Sequence, residues 1–181
     1  MVPVVSFVGN SGVGKTTFLE KLVPELKSRG YRVAAIKHDV HSFEIDYPGK
    51  DSWRLTEAGA DIVVLSSRDK LAMIERPTAE RALAELVAMV DDRMDIVVTE
   101  GYRGAAALKI EVSRAAHSHV LTSRLDDLIA IVTDHPFEYP VRQFGLDDAA
   151  GVADFIEDRF SIVAGDRRTE RNGTGPCARR R

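Results

Sequence analysis

Val2-Pro3-Val4-Val5-Ser6-Phe7-Val8-Gly9-Asn10-Ser11-Gly12-Val13-Gly14-Lys15-Thr16 is an apolar run that feeds straight into the pattern G-x-x-x-x-G-K-[ST]. Each part of that pattern has a chemical task. Glycines let successive backbone N–H groups close around phosphate oxygens, Lys15 supplies a point charge for the β/γ-phosphates, and the Thr16 hydroxyl is placed to ligate Mg2+. Phosphate would then rest on the N-terminus of the helix that follows. Strand, glycine loop and helix in this order predict a phosphate-binding loop.

The rest of the composition agrees with one domain of ordinary size. The chain has 181 residues, 44% of them hydrophobic, enough for a core. Its one cysteine, Cys177, stands in a polar stretch, so no intrachain disulfide, thiolate cluster or zinc ribbon is expected, and a cytoplasmic setting is. Val2 to Val8 is too short for a signal-peptide core, and no apolar stretch approaches the ~18 residues of a membrane span. The net charge of −3 divides into +4 over residues 161–181 and −7 before them. Residues 1–160 are therefore read as the nucleotide-binding domain and not as a nucleic-acid platform, with 161–181 as a basic, disordered tail.

Strand and helix patterns alternate along the domain, which predicts an α/β fold: three layers, with a mostly parallel twisted sheet and helices on both faces. After the first strand, Lys15 to Arg29 reads as a helix with Phe18, Leu19, Leu22, Val23 and Leu26 on one face and Gly30 as its stop. Arg32 to Lys37 is a second strand, His38 to Lys50 a long polar loop, and Asp51 to Ala58 a short helix. Ile62 to Ser66 and Lys70 to Ile74 predict a small β-hairpin. Thr78 is expected to cap a helix running to about Asp92. Further strands are expected at Asp95 to Thr99, Leu108 to Val112 and Leu128 to Val132, and a final amphipathic helix from Asp147 to near Phe160.

A phosphate-binding loop needs a second acid for the metal's water shell, at the C-terminal end of a neighbouring apolar strand. Ile96-Val97-Val98-Thr99-Glu100 supplies Glu100, while Asp95 at the opposite end reads as structural. The loop from His38 to Asp46 carries two histidines, His38 and His41, and three acids. The second strand is expected to end beside the glycine loop, so that Asp39 can reach the Mg2+ shell or orient an attacking water. Asp46, Lys50 and Asp51 are candidates for contacts to a nucleotide or a partner. No N-K-x-D segment for guanine selection occurs. Asp134, ending Ile129-Ala130-Ile131-Val132-Thr133, is the candidate base-reading acid, and Trp53 and Tyr102 are aromatics able to stack on a base.

Taken together, Gly9 to Thr17, Ile36-Lys37-His38, Asp46-Tyr47-Pro48-Gly49-Lys50-Asp51-Ser52, Val98-Thr99-Glu100-Gly101-Tyr102 and Lys109-Ile110-Glu111-Val112 resemble the MobB family of molybdopterin-guanine dinucleotide biosynthesis adaptors. The resemblance covers roughly residues 3–160. It implies the P-loop NTPase fold and a GTP-binding protein with weak hydrolysis, usually dimeric, assisting molybdopterin guanylyltransferase and other molybdenum cofactor proteins. It also implies that Asn10, Ser11, Gly12, Val13, Gly14, Lys15, Thr16 and Thr17 bind phosphates, that Thr16 and Glu100 serve Mg2+, and that the Ile62 to Ile74 hairpin forms the dimer contact. Thr99 departs from the family, where an aliphatic residue is more usual, and Asp39 stands where a less acidic residue is often found. The alternatives are a small-molecule kinase or ligase on the same fold, and a binding-only module that docks a partner when nucleotide is present.

Overall fold

The computed structural model describes residues 1–39, 43 and 45–164. His41 and the basic segment from residue 165 onward lie outside the described residues. In chain order the elements are β1 (Val4–Val8), α1 (Lys15–Ser28), β2 (Val33–Lys37), α2 (Asp51–Glu57), β3 (Ile62–Ser66), β4 (Leu71–Glu75), α3 (Leu83–Ala88), β5 (Ile96–Glu100), β6 (Leu108–Ser113), β7 (Leu128–Thr133), β8 (Arg142–Phe144) and α4 (Ala149–Phe160). They divide into two compact units, one built from residues 1–38 and the chain from 87 onward, the other from residues 39–86.

The first unit is a six-stranded parallel sheet in the order β2-β5-β1-β6-β7-β8. Its central strands are buried on both faces, which is why they read as continuous apolar runs. One face presents Val5 and Phe7, Ile96 and Val98, Ile110 and Val112, and Ala130 and Val132 to the core. Phe18, Leu22 and Leu26 recur every four residues along α1 and are buried in that core, where Val152, Ala153 and Ile156 of α4 join them. Each of these side chains larger than alanine contributes about 1.5–3 kcal/mol by leaving water.

Arg29, the C-cap of α1, ties the two helices together. It bonds Glu25 (2.9 Å) on its own helix and Asp154 (2.6 Å) and Glu157 (2.8 Å) on α4. Burial opposes its charge, but these carboxylates outweigh burial and raise its pKa. Thr99 faces Ser6 across the β1/β5 ladder and donates to its hydroxyl at 2.8 Å, so the polar residue in an apolar strand has a partner.

Three expectations differ from the structure. The helix expected from Thr78 to about Asp92 is only α3, because Glu85 caps the Ala82 amide (2.8 Å) and starts the helix late. Past Ala88 the bonds tighten to i→i−3 at Val90 and Arg93, and Arg93 takes the Met89 carbonyl (2.8 Å). Strand β8 was not anticipated; its Gln143 makes two bonds to the Phe137 backbone, an anchor that no periodicity signals. The second strand, finally, does not lie beside β1. β5 separates them, so the strand next to the glycine loop is the one carrying Glu100.

The second unit holds α2 and the β3/β4 hairpin, paired antiparallel from Ile62↔Glu75 to Ser66↔Leu71. One face of this ribbon leaves Ile62, Val64, Leu71 and Met73 exposed.

Candidate functional site: the glycine loop and its surrounding cations

The loop between β1 and α1 keeps a shape that side chains would forbid. Gly9, Gly12 and Gly14 all have positive φ, and a Cβ on Gly9 would lie 2.2 Å from the Val112 carbonyl oxygen of β6. Val13 points the other way, into the core. Gly14 is the N-cap of α1, in the left-handed region, and no side chain caps the helix. The first helical bond runs from Phe18 N–H to Gly14 O (2.9 Å), which leaves the amides of Gly14, Lys15, Thr16 and Thr17 without intrahelical acceptors. Four donors and the positive end of the helix dipole form a seat for an anion.

Lys15 is folded back on this seat, its Nζ donating to Asn10 O (2.9 Å) and Gly9 O (3.2 Å). Burial lowers its pKa, Glu100 opposes that, and Arg103 and Lys37 add to the lowering. Thr16 Oγ1 donates to Glu100 Oε1 (2.9 Å) and Oε2 (2.8 Å). The hydroxyl from the loop and the acid from β5, which the loop motif led us to expect at the end of a neighbouring strand, thus converge. Asn10 is half-buried and Ser11 and Thr17 are exposed on the same loop.

Glu100 is aimed by the turn after it. Gly101 (φ 95) and Tyr102 (φ 58) are both left-handed, and for Tyr102 such a conformation costs about 1–2 kcal/mol. The Tyr102 ring rests 4.8 Å from that of His38, and a Cβ on Gly101 would lie 3.2 Å from His38 Cβ. The turn brings Arg103 back to the loop, where Nη2 donates to the Gly9 carbonyl that also holds Lys15.

A second arginine reaches the loop from the opposite side. Arg114 follows β6 directly; its Nε donates to Val13 O (2.9 Å), and its guanidinium lies 3.3 Å from where a Gly14 Cβ would be. His117 Cε1 is 3.2 Å from the Cβ position of Gly12. Sequence reading singled out neither Arg114 nor His117, because only the adjacency of β6 and β1 brings them to the loop.

Asp134, expected to read a base, accepts the Ala115 N–H (2.8 Å) on Oδ1 and has His135 Nδ1 at 3.2 Å. The Ala115 bond, then His135, hold its carboxyl below the usual range. Asp39 directly follows His38, whose N–H bonds Glu100 O (2.9 Å), and begins the second unit. The other candidates also belong to that unit. Asp46 accepts from Ser52 Oγ (2.9 Å) and the Tyr47 amide (3.0 Å), while Lys50 and Asp51 are exposed at the start of α2. Trp53 lines a cleft of about 290 Å³ with Phe43, Ile45, Thr56, Ile74 and Arg76.

Residues 4–134 match the family model for molybdopterin guanine dinucleotide synthesis protein B. The chain is 35% identical over 158 residues to the molybdopterin-guanine dinucleotide biosynthesis adapter protein of Haemophilus influenzae, covering 87% of this chain and 89% of that one. It is also 35% identical over 161 residues to the protein of the same name from Escherichia coli, with 86% and 92% covered. The crystal structure of Bacillus subtilis MobB superposes with a TM-score of 0.70 at 27% identity, covering 91% of this chain and 99% of that one.

Proposed function

The chain belongs to the MobB family, molybdopterin guanine dinucleotide synthesis protein B, and on that premise we propose an adaptor of molybdopterin-guanine dinucleotide biosynthesis that binds GTP with Mg2+ and hydrolyses it slowly. The observation that carries the nucleotide part is the meeting of Thr16 and Glu100 beside the uncapped first turn of α1. A hydroxyl and a carboxylate are hard oxygen donors suited to Mg2+, which keeps much of its water and takes the rest of its ligands from phosphate. Among the described residues no group of three His, Cys, Asp or Glu offers a metal cage, and water and phosphate oxygens would fill the rest of the shell. The bound ion would neutralise charge on the β/γ oxygens.

The chain's own groups do the rest. The amides of Gly14 to Thr17 bind phosphate oxygens, and Lys15 turns from the Gly9 and Asn10 carbonyls toward them. Asp39 is the candidate for orienting water, and a slow rate is in keeping with its position after the strand one removed from β1. Molybdopterin guanylyltransferase is the proposed partner, with other molybdenum cofactor proteins. Asp46, Lys50 and Asp51 are proposed for the docking loop. The exposed Ile62, Val64, Leu71 and Met73 support homodimerisation through the hairpin. Among the described residues no helix is long and apolar enough to cross a membrane, and a cytoplasmic site of action is proposed.

Calorimetric titration with GTP and ATP, each with and without Mg2+, tests the reading. Mg2+-dependent binding of GTP in preference to ATP is the expected result; preference for ATP would favour a kinase or ligase, and no binding would remove the nucleotide from the function.

A further inference from the structure

A guanine nucleotide must be told from an adenine one, yet the chain has no N-K-x-D segment. We propose that Arg114 is the specificity residue, its guanidinium donating to O6 and N7 of a 6-oxopurine. The inference rests on the nucleotide reading above and names what that site selects.

The direction of the ligand follows from the sheet. Thr16 and Glu100 meet on the β5 side of β1, so the metal-bound β/γ end lies there. The nucleoside end then leaves toward the other neighbour of β1, which is β6, and Arg114 is the first residue beyond β6. Its Nε is fixed on Val13 O at 2.9 Å, while neither Nη has a hydrogen-bond partner among the described residues. Asp147, which feels the charge of Arg114, is itself committed to Lys21 at 2.5 Å. A planar fork clamped at its root and open at its tip is what bidentate recognition requires.

The segment carrying the fork is braced. Arg114 O accepts from His117 N–H (2.9 Å) and Ser118 N–H (3.0 Å), and Asp134 holds Ala115 N–H (2.8 Å). Farther along, the buried Glu111 carboxylate holds the Thr122 and Ser123 amides at 2.7 and 2.8 Å. Oδ1 of Asp134 accepts the Ala115 N–H at 2.8 Å, which ties the turn that follows Arg114 to the end of β7, and the inference uses Asp134 as a positioning residue for that turn. Guanine offers two acceptors on its N7/O6 edge, whereas adenine puts an amino donor in place of O6 and faces donor with donor. The discrimination expected of one bidentate pair is about 5- to 150-fold.

The test is calorimetric titration of the full chain with Mg2+ and GTP, ITP, 7-deaza-GTP, ATP or inorganic tripolyphosphate, for the wild type, Arg114→Ala, Arg114→Lys and Asp134→Asn. ITP keeps O6 and N7 but lacks the 2-amino group, so it should bind like GTP, with 7-deaza-GTP and ATP weaker by about 5- to 150-fold. Arg114→Ala should erase these differences among the bases, whatever loss of the Nε–Val13 bond costs in overall affinity, which tripolyphosphate reads. Arg114→Lys, a charge without a fork, should not restore them, and Asp134→Asn should blunt them. ITP falling to the level of ATP, or Arg114→Ala still preferring GTP, overturns the proposal. A wild type that binds tripolyphosphate but does not discriminate among bases overturns this inference alone; one that binds no triphosphate overturns the nucleotide reading as well.

Discussion

Gly9→Ala perturbs the loop where strand and loop are most tightly constrained. The new methyl carbon would lie 2.2 Å from Val112 O, a backbone atom of the adjacent strand. Close C···O contacts are ordinarily about 3.3–3.6 Å, so roughly 1 Å of overlap must be relieved by parting β1 from β6 or by rotating the loop. Rotation is not available cheaply, since φ is 135° and L-residues there cost about 1–3 kcal/mol even without a clash. Backbone strain and displaced ladder bonds together suggest a loss of about 3–5 kcal/mol, near the upper end for a single substitution. For a chain of this size that lowers Tm by about 6–20 °C in thermal unfolding followed by circular dichroism. Gly104→Ala is the control: nothing lies within 4 Å of its Cβ position and its φ is not positive, so a change within about 0.5 kcal/mol is expected. A Gly9→Ala protein melting within about 2 °C of the wild type would refute the account of why this position is glycine.

The Lys15 ammonium is depressed below 10.5 first by burial and further by Arg103 and Lys37, against Glu100. On the nucleotide reading its protonated form is the one that binds phosphate, so the fall of tripolyphosphate affinity with rising pH should have its midpoint below 10.5; a midpoint at or above 10.5 would contradict the lowered pKa. Glu100→Gln removes the charge facing Thr16 and should weaken GTP binding by about 10-fold or more with Mg2+ while changing Mg2+-free binding little, with equal losses pointing to a structural role. Leu22→Ala, at a fully buried position far along α1, should cost about 2–5 kcal/mol in denaturant unfolding and leave GTP affinity unchanged once folded.

Local pattern made much of this protein legible. The glycine loop, the four-residue spacing of Phe18, Leu22 and Leu26, and the acid at the end of β5 are each written in a few adjacent residues, and the structure realises them. What was hidden depends on which strands are neighbours. Asp39 was assigned on the assumption that β2 lies beside β1, whereas β5 takes that place. Arg114 and His117 have no motif of their own and gain meaning only because β6 is the other neighbour of β1. Asp134 was rightly marked as the end of a strand, but its bond to Ala115 joins two loops separated in sequence and could not be foreseen. β8 escaped notice because three residues do not establish a period, and α3 came out short because Glu85, not Thr78, supplies its cap.

The Gly9 carbonyl is shared by two cations of the loop. It already satisfies both Lys15 and Arg103, with Asn10 O taking a further bond from Lys15. On the proposed nucleotide reading, an incoming phosphate would compete with internal acceptors, and its affinity would reflect the difference between two sets of charge-assisted bonds instead of their sum. The same carbonyls would recapture the cations as phosphate leaves, which would stabilise the emptied loop. Exchange should be fast and affinity moderate, properties suited to a component that engages and releases its ligand repeatedly.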